Sequence, residues 1–491
     1  MNTWRMTALF FLLALTLPAC SDDGGSATPD AGVDVSVADG APRPDGAAPD
    51  ATAPDLGPPL KHEKEVDDLV RPIMDGKWTV GLVVGLISQE GQEIHVYGET
   101  AAGAGPPTED TLFEIGSITK TFTSLLLAQE VKDGKVTLAQ PVQELLPAAK
   151  VTVPQLNGKQ ITLLHLSTHT SGLPRMPGNV DVADPKALAA YTADKLYAFL
   201  NGYTLTREPG AGWEYSNLAV GLLGHALTLE AGKGYEALVI ERITTPLALG
   251  DTVITLSAAQ KSRLAQGHNY DLEEADPIDI GVMAPAGEIR STARDMLAYL
   301  AAQAGLTSTS LDAEMAETHK THYAGPPAMG LAWIISDGRY RWHNGGTGGF
   351  ETYAGFDTQA KVGVVVLGNA ITAWQPQTQL GNELLRMMAG QSFKPVNIPK
   401  TISVPTATLD QYVGSYENAT KTLAASITRK GDHLYLDLKD QPSFRMYAQT
   451  SETFYIRADQ LGLAFQKDAT GEYSSLLLTT TSGKVLLSRA S

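Results

Sequence analysis

A short stretch that changes from a strand-like to a helical pattern places a serine and a lysine three residues apart. It reads Phe113-Glu-Ile-Gly-Ser-Ile-Thr-Lys-Thr-Phe-Thr-Ser-Leu-Leu-Leu, so Ser117 and Lys120 would project from one face of a helix. An amine beside a hydroxyl can activate an otherwise weak serine nucleophile. If Ser117 opens the helix, its backbone N–H lies at the positive end of the helix dipole and would stabilise an oxyanion. Alone, the pattern is also typical of an ordinary helix start with a solvated lysine.

Two further segments carry groups that suit the same chemistry. The first, Glu208-Pro-Gly-Ala-Gly-Trp-Glu-Tyr-Ser-Asn, contains Tyr215 and Asn217 ahead of an apolar helical pattern. A phenol whose pKa is lowered by neighbouring cations could pass protons, and the amide could hold a carbonyl or orient the lysine. The second, Tyr340-Arg-Trp-His-Asn-Gly-Gly-Thr-Gly-Gly-Phe, lies between two strand patterns, and its glycines allow backbone to approach a ligand closely. Each segment alone also fits a structural turn.

Together and in this order, the three segments resemble the serine β-lactamase and penicillin-binding-protein superfamily, in particular its class C β-lactamase-related branch. Two flanking phrases match as well, Leu163-Leu-His-Leu-Ser-Thr-His-Thr-Ser-Gly-Leu-Pro and Gly287-Glu-Ile-Arg-Ser-Thr-Ala-Arg-Asp-Met. The resemblance covers about residues 65–395. It implies a mixed α/β (α+β) fold with an antiparallel sheet, an all-α lobe and the active site between them. We therefore expect a serine hydrolase domain at 61–395.

The resemblance also implies a role for each site residue. Ser117 would be the acylated nucleophile, Lys120 its activator, and Tyr215 the proton shuttle that also helps to activate the deacylating water. Further residues would bind the substrate or complete the oxyanion hole, and these are Asn217, His343, Gly345 and Gly346. The hole itself would consist of the N–H groups of Ser117 and Gly346. Which group is the acylation base is left open, because it is unsettled in the relatives.

One residue departs from the β-lactamase pattern. Where that pattern has Lys-Thr-Gly, this chain has His343-Asn344-Gly345, which is more similar to relatives acting as D-aminopeptidases, DD-carboxypeptidases or esterases. Because histidine is mostly neutral at pH 7, we expect weaker attraction for a substrate carboxylate and inefficient β-lactam hydrolysis. Arg341 or Arg290 are candidates for the missing charge, although surface arginines are usually only solvated.

The resemblance implies two-step acyl transfer at an amide or an ester, with a peptidoglycan-type D-amino acid peptide or a β-lactam as substrate. An esterase of the same fold is the alternative enzyme, and a non-catalytic penicillin-binding or cell-wall module is the alternative class. The intact Ser117, Lys120 and Tyr215 argue against such a module, which could lose them freely.

His165 and His169 are four residues apart in a helical pattern, a spacing that can bind zinc. No glutamate follows the first histidine as in His-Glu-x-x-His, and no clear third ligand follows. Structural histidines are the favoured interpretation, so neither a metal nor an organic cofactor is expected. Trp213 and Trp342 flank two of the three segments and would line the pocket or pack beneath it.

Residues 1–20 are typical of a lipoprotein export signal. Arg5 supplies positive charge, residues 7–17 form an apolar run too short to span a bilayer comfortably, and Leu17-Pro18-Ala19-Cys20 resembles a bacterial lipobox. Cys20 is the only cysteine, so we expect it to be lipidated and to anchor the chain in the cell envelope, with Ser21 favouring the outer membrane. A plain secretory signal is the alternative.

Composition changes twice along the rest of the chain. Residues 21–60 carry eight Asp and one Arg and are expected to form a disordered, extended tether. The net charge of −17 over all 491 residues argues against nucleic acid as a partner. Beyond a linker near 394–405, short alternating strands follow, and Leu409-Asp-Gln-Tyr-Val-Gly-Ser-Tyr-Glu resembles the lipocalin-like β domain often appended to such proteins. We expect a small β-barrel-like domain at 406–491.

Overall fold

The structure is a computed structural model that describes residues 60–439, 441–480 and 483–490. Cys20, the predicted signal and all but the last residue of the predicted tether lie outside the described residues. Within the described ranges, none of the helices combines the length and the apolar character needed to cross a bilayer.

The described residues contain helices, single helical turns and strands. The α-helices are α1 (Glu63–Asp75), α2 (Thr119–Lys132), α3 (Leu163–Ser167), α4 (Pro185–Ala189), α5 (Ala193–Gly202), α6 (Asn217–Ala231), α7 (Tyr235–Val239), α8 (Ala258–Lys261), α9 (Ala293–Gln303), α10 (Asp312–His319), α11 (Pro376–Met388) and α12 (Thr406–Leu409). The 3₁₀ turns are Gly116–Ile118, Val142–Leu145, Gly281–Ala286 and Asp410–Tyr412, and a π turn spans Ile240–Thr244.

The strands fall into a first group before residue 370 and a second group after residue 410. The first group is β1 (Gly81–Ser88), β2 (Gly91–Gly98), β3 (Phe113–Glu114), β4 (Gly267–His268), β5 (Glu274–Ala275), β6 (Arg290–Ser291), β7 (Ala328–Met329), β8 (Ile334–Ser336), β9 (Tyr340–Gly346), β10 (Glu351–Asp357) and β11 (Val362–Gly368). The second group is β12 (Gly414–Glu417), β13 (Ala424–Lys430), β14 (His433–Leu438), β15 (Phe444–Ala448), β16 (Thr453–Tyr455), β17 (Gly462–Lys467), β18 (Tyr473–Thr480) and β19 (Gly483–Arg489).

Seven strands of the first group form one antiparallel sheet in the order β2-β1-β11-β10-β9-β8-β7. Its neighbouring strands β1 and β11 are buried along almost their whole length, which suits a sheet covered on both faces. Side chains alternate accordingly: Leu82, Val84 and Leu86 pack against α1 and α11, whereas Val83 and Ile87 pack on the side of α9. The sheet is therefore the middle layer of the first domain.

The helical lobe is built around α2 and α6, which contact each other. Residues 119–130 of α2 are all buried, as are nearly all of residues 218–227 of α6, so both helices lie inside the lobe rather than on its surface. The 3₁₀ turn Gly116–Ile118 precedes α2 and packs against β9 and β10. This turn therefore lies where the sheet meets the helical lobe. The predicted fold class is confirmed here.

The second group of strands closes into an eight-stranded antiparallel barrel in sequence order, with β12 pairing to β19. Alternate residues of its strands are buried, as the period of two requires. The interior is filled by aromatic rings: Tyr412 stacks on Phe465 with a centroid distance of 4.1 Å and meets Tyr473 edge-on at 4.6 Å. The predicted additional all-β domain is therefore present.

The barrel is fixed to the first domain by Arg457, which is almost completely buried. Its guanidinium lies 4.5 Å from the ring centroid of Trp78 and 4.2 Å from that of Tyr447. It also donates hydrogen bonds to the carbonyl oxygens of Gly76 (2.7 Å) and Lys77 (2.5 Å), directly after α1. A cation held between two rings and two carbonyls joins the last domain to the first helix.

Two local expectations differ from the structure. The apolar run at 330–335 favours a strand, but Ala332 has φ +62°, and the strand begins only at Ile334. Helical pattern starts at Ile161, but Thr162 is extended and acts as the N-cap, so α3 begins at Leu163. In both places one backbone conformation sets the boundary, which side-chain periodicity does not reveal.

Candidate active site

The structure brings Ser117 and Lys120 together at the start of α2. Lys120 Nζ lies 2.9 Å from Ser117 Oγ. The serine belongs to the 3₁₀ turn before the helix, so its N–H has no preceding turn to bond to. The two residues therefore have the spacing and the position that the sequence predicted for them.

Lys120 is fully buried, and its amine faces oxygen atoms only. Besides Ser117 Oγ, Nζ contacts Asn217 Oδ1 at 2.9 Å and the carbonyl oxygen of Ala286 at 2.6 Å. Burial, and to a smaller extent the charge of Arg175, holds the pKa of the Lys120 amine well below its usual value of 10.5. A neutral amine has two protons for the two carbonyl oxygens, which leaves its lone pair for the hydroxyl of Ser117.

Tyr215 is held beside this pair by the turn that starts α6. The hydroxyl of the N-cap residue Ser216 accepts a hydrogen bond from the N–H of Ala219 at 2.9 Å. It also donates one to the carbonyl oxygen of Pro174 at 2.6 Å. The ring centroid of Tyr215 lies 5.0 Å from Lys120 Nζ, and its hydroxyl is hydrogen-bonded to Ser117. The phenol of Tyr215 thus contacts both Ser117 and Lys120.

The pKa of Tyr215 differs from the expectation that neighbouring cations lower it. Burial raises the pKa of Tyr215 to about 12, and the hydrogen bond with Ser117 and the charge of Arg175 offset this only in part. The phenol is therefore neutral at pH 7 and can act as a proton donor. One cation, Arg175, acts on the phenol, but the loss of solvation outweighs its effect on the pKa.

His169 supports the Tyr215 ring and was not recognised as part of the site. It is fully buried, its ring centroid lies 4.5 Å from that of Tyr215, and its Nδ1 accepts the N–H of Ser216 at 3.1 Å. Burial holds its pKa well below 6.5, so it is neutral. His165 instead accepts the N–H of Thr162 in the capping box of α3. The two histidines therefore have separate structural partners.

The third segment is part of strand β9 rather than a turn. Strand β8 pairs only with residues 340–342 of β9, so the edge of residues 343–346 faces the Ser117 turn instead. Thr347 donates its N–H to the carbonyl of Phe350 at 3.0 Å. Because successive N–H groups of an antiparallel strand alternate between its two sides, the N–H of Gly346 points to the open edge.

Two glycines permit this close approach. Gly116 has φ +51°, and a Cβ there would lie 2.7 Å from the backbone nitrogen of Gly346. A Cβ on Gly345 would lie 2.0 Å from the carbonyl oxygen of Ile115. Any side chain at either position would push β9 away from the turn. Gly116 and Gly345 therefore allow β9 to lie directly against the turn that carries Ser117.

His343 lies under the site and is fully buried. Its Nδ1 donates to the carbonyl oxygen of Asn344 at 2.6 Å, so Nε2 carries the lone pair in the neutral ring. Burial, together with Lys120, lowers the pKa of His343 to about 3. The ring centroid is 6.1 Å from that of Tyr215. A neutral imidazole offers polarity at this position but no charge.

Behind β9, a polar chain runs to helix α11. Asn344 Nδ2 donates to the hydroxyl of Thr378 at 3.2 Å, and the hydroxyl and N–H of Thr378 donate to Glu351 Oε1 at 3.2 and 3.0 Å. Glu351 is fully buried, and this burial raises its pKa to about 8. The carboxyl is therefore protonated at pH 7, and the strand is backed by a neutral network.

The two arginines considered as substitutes for the missing lysine charge are engaged elsewhere. Arg290 is buried, pairs with Glu114 at 3.1 Å and donates to the carbonyls of Ile254 and Ile278. Arg341 turns its guanidinium to carbonyl oxygens, including that of His319 at 3.1 Å. The arginine that stands at the site is Arg175, whose guanidinium carbon is 5.0 Å from the centroid of Tyr215. It follows the phrase Ser171-Gly-Leu-Pro, which is the signal that could have pointed to it.

The two flanking tryptophans have different positions. Trp213 lies beside the site, with ring centroids 6.2 Å from His169 and 6.3 Å from Tyr215. Trp342 packs beneath it, stacked on Tyr353 at 5.8 Å, and donates from Nε1 to the hydroxyl of Ser336. Only Trp213 is therefore placed to contact a ligand near Tyr215.

Comparison with known proteins matches the chain to two family models. Residues 66–375 match the model of the Beta-lactamase family, and residues 399–486 match a domain of unknown function, DUF3471. The first match contains all three segments described above. The second covers most of the barrel.

Individual relatives resemble the first domain. The D-alanyl-D-alanine-carboxypeptidase/endopeptidase AmpH of Escherichia coli is 32% identical over 358 residues, 68% of this chain and 91% of that protein. A beta-lactamase of Providencia stuartii is 26% identical over 359 residues, 65% and 88% of the two chains. Both similarities extend over nearly the whole length of the relative.

Solved structures agree with this. The beta-lactamase/D-alanine carboxypeptidase of Yersinia pestis, complexed with citrate, has a TM-score of 0.59 at 27% identity and covers 67% of this chain and 98% of its own. An octameric penicillin-binding protein homologue of Pyrococcus abyssi has a TM-score of 0.60 and covers 87% and 100%. Its 19% identity bears on the fold alone, and its coverage reaches beyond the first domain.

Proposed function

This chain is a serine hydrolase that belongs to the Beta-lactamase family, and from that premise we propose that it cleaves an amide or ester through an acyl-enzyme on Ser117. One observation carries the proposal. The Lys120 amine is buried, has a lowered pKa and lies 2.9 Å from Ser117 Oγ. A neutral amine at that distance is a base poised for the serine hydroxyl.

In the acylation step, Lys120 takes the proton of Ser117 while Oγ attacks the carbonyl carbon of the substrate. The oxyanion that forms accepts hydrogen bonds from the N–H groups of Ser117 and Gly346. Tyr215 gives its proton to the leaving group and regains one from Lys120, so charge does not accumulate. The acyl-enzyme ester and the free leaving group are the products of this step.

In the second step, water attacks the ester carbonyl in the same oxyanion hole. Tyr215 and Lys120 take up the proton of the water and return it to Ser117 Oγ as the acid product leaves. Asn217 orients Lys120 throughout, since its Oδ1 accepts a hydrogen bond from Nζ at 2.9 Å. No step of this sequence requires a metal or an organic cofactor.

We propose a peptidoglycan-type peptide ending in D-amino acids as the substrate, cleaved in the manner of a DD-carboxypeptidase. The relative AmpH is a D-alanyl-D-alanine-carboxypeptidase/endopeptidase, which supports this choice. So does His343, which stands where the β-lactamase pattern has a lysine. β-Lactams then acylate Ser117 and are released slowly.

The test is the intact mass of the full chain after exposure to a fluorescent penicillin, with Ser117→Ala alongside. We expect one adduct that depends on Ser117 and persists, together with release of D-alanine from a diacetyl-Lys-D-Ala-D-Ala peptide. Loss of turnover in Ser117→Ala should be on the order of 10⁶-fold. Ser262→Ala, an exposed serine in the loop after α8, is the matched control.

Other outcomes would redirect the proposal. A short-lived adduct would indicate a β-lactamase. Hydrolysis of p-nitrophenyl esters that depends on Ser117, with no peptide cleavage, would indicate an esterase. Substantial turnover by Ser117→Ala would refute the nucleophile assignment, and no reaction with any of these probes would favour a binding module.

We also propose that the protein is exported and held in the cell envelope through a lipid on Cys20. The support is the sequence Leu17-Pro18-Ala19-Cys20 after an apolar run. Labelling with a radioactive fatty acid should mark the native chain and not Cys20→Ala. Equal labelling of the two would contradict the anchor.

A further inference from the structure

We propose that Met176 is a modification site: oxidation of its sulfur to the sulfoxide by a hydroperoxide displaces Asn217 and slows the reaction at Ser117. The inference rests on the proposed function, because it takes Lys120 as the base of Ser117 and Asn217 as the residue that orients Lys120. Met176 is then a positioning residue, since it acts on the reaction only through the amide of Asn217. It lies outside the three segments that carry the chemistry.

The side-chain amide of Asn217 lies between a donor and an acceptor. Its Oδ1 accepts a hydrogen bond from Lys120 Nζ at 2.9 Å, and its Nδ2 donates one to Met176 Sδ at 3.4 Å. A thioether sulfur can accept a hydrogen bond but has no proton to donate, so it selects the NH₂ end of the amide. Met176 and Lys120 therefore favour the same orientation of the amide, with its oxygen toward the amine.

The backbone next to Met176 is tied to the helix that carries Asn217. The carbonyl oxygen of Arg175 accepts the N–H of Asn217 at 2.9 Å. The carbonyl oxygen of Pro174 accepts a hydrogen bond from the hydroxyl of Ser216 at 2.6 Å. These two bonds hold the segment against the first turn of α6, and the sulfur of Met176 therefore stays within reach of the amide.

Met176 combines accessibility with a contact to the site. Its side chain is half-buried and packs against the core that contains α2 and α6. Other methionines of the described residues are buried, namely Met283, Met296, Met315, Met329 and Met446. The remaining described methionines are half-buried but pack on the side of the sheet that faces α1 and α11, and these are Met74, Met387 and Met388. An oxidant that modifies Met176 thus acts on a direct neighbour of Asn217.

The modification is a two-electron oxidation of the thioether. A lone pair of Sδ attacks one oxygen of hydrogen peroxide, so that an S–O bond forms and the O–O bond breaks. The proton on the transferred oxygen passes to the leaving oxygen, and the peroxide is reduced to water while the thioether becomes a sulfoxide. No bond to carbon changes, and methionine sulfoxide reductases reverse the step.

The added oxygen changes the space available to the amide of Asn217. Sulfur and Nδ2 are 3.4 Å apart, and an oxygen that accepts from an N–H by itself requires about 2.7–3.2 Å from the nitrogen. A sulfoxide oxygen directed at Nδ2 therefore pushes the amide out of the position in which Oδ1 meets Lys120 Nζ. A displacement of about 1 Å near reacting groups can lower a rate about 100-fold.

The experiment treats the full chain with hydrogen peroxide and follows the Ser117-dependent hydrolysis of a p-nitrophenyl ester. Peptide mass mapping gives the fraction of Met176 that has gained one oxygen. As this fraction approaches completion, we expect kcat to fall about 10- to 100-fold, whereas KM and the thermal midpoint stay close to those of the untreated chain. Methionine sulfoxide reductases should restore kcat, because the change is confined to the sulfur.

Met176→Leu keeps an apolar side chain of similar volume and removes the sulfur. Its basal kcat should be about 2- to 10-fold below that of the wild type, as for loss of a weak hydrogen bond, and peroxide should not change it further. The matched control is Met387→Leu on α11, which should have the basal kcat and the peroxide response of the wild type. Cys20 is present in both variants, so an effect of its oxidation would also appear in Met176→Leu.

Three results would overturn the inference. The first is an unchanged kcat in wild-type chain whose Met176 is fully oxidised, which needs no variant to be measured. The second is an equal peroxide response in Met176→Leu, and the third is an unmodified Met176 under conditions that oxidise Met387. Failure of the proposed function is distinct from all three, because it would appear before any oxidant is added, as turnover that survives in Ser117→Ala.

Discussion

The site at Ser117 and the interior of the barrel are both buried, but they differ in the polar groups that they contain. In the barrel, the hydroxyl of Tyr412 donates to the carbonyl of Ser451 at 2.6 Å, and that of Tyr416 donates to Tyr412 at 2.8 Å. At Ser117, by contrast, a buried lysine amine lies 2.9 Å from a serine hydroxyl. Burial alone therefore does not mark a functional site; a buried ionisable group beside a nucleophile does.

The largest test of this contrast removes the buried amine. In Lys120→Met we expect kcat/KM for an ester to fall about 10³- to 10⁵-fold, because the base of the serine is lost. The free energy of unfolding should change by no more than about 1–3 kcal/mol, because the desolvation cost of the amine disappears while the oxygens of Asn217 and Ala286 lose their donor. Steady-state kinetics and calorimetry measure the two quantities.

The pH dependence of kcat/KM in the wild type also tests the role of the Lys120 amine. Since the pKa of Lys120 is depressed, the neutral base forms as pH rises, and kcat/KM should reach its plateau well below pH 10.5. Lys261→Met, at the end of α8, serves as the control and should retain the profile. Retention of more than about a tenth of the activity in Lys120→Met would contradict the role of the amine.

On the barrel side, Tyr412→Ala should cost about 3–5 kcal/mol of barrel stability, because it opens a cavity between stacked rings. Acylation of Ser117 by penicillin should persist below the new unfolding transition. Tyr412→Phe, which loses only the bond to Ser451, should cost about 1 kcal/mol. Denaturation followed by calorimetry gives both values, and equal losses in the two variants would mean that the ring does not fill the barrel.

A third test concerns the buried carboxyl behind β9. The pKa of Glu351 is about 8 in the folded state against an ordinary 4.5. Its stabilising contribution is therefore complete below pH 4.5 and is lost as pH rises through 8. Glu351→Gln imitates the protonated form, so its stability relative to the wild type should rise by about 1–3 kcal/mol between pH 5 and pH 8.5. A difference that does not depend on pH would show that Glu351 does not titrate in this window.

The smallest effect is expected where the barrel meets the first domain. Tyr447→Phe removes the hydrogen bond from the hydroxyl to Asp271 Oδ1 at 3.0 Å. We expect a loss of about 1 kcal/mol in stability and a change in kcat of less than about 2-fold. A larger fall in kcat would mean that the contact between Tyr447 and Asp271 affects the site at Ser117. The barrel and the site would then not be independent.

Much of the fold and the central site could be predicted from the sequence, because each rests on short-range patterns. The three short segments indicated the antiparallel sheet and the helical lobe through the family resemblance, and the alternating strands after the linker predicted a small β domain. The spacing of Ser117 and Lys120 on a helix start placed the amine beside the hydroxyl. Local periodicity and residue spacing can be identified from the sequence without knowledge of the fold.

What could not be predicted depends on distant contacts. Nothing local distinguishes Arg175 from Arg341, since only the folded chain sets one beside Tyr215 and the other against backbone carbonyls. The high pKa of Tyr215 likewise comes from burial by the surrounding elements. His169 was considered as a zinc ligand with His165, whereas tertiary contacts give it a place under Tyr215.

The bond between Arg457 and the end of α1 has a consequence for how the chain comes apart. Arg457 bonds to the backbone directly after α1, which begins at Glu63. In the sequence, the linker near 394–405 lies between α1 and Arg457. A protease that cuts in this linker would break the backbone without releasing the barrel. The guanidinium of Arg457 in the barrel would still contact the ring of Trp78 in the first domain, as well as that of Tyr447. The nicked protein would run as one species in native gel filtration and as two fragments under denaturing conditions.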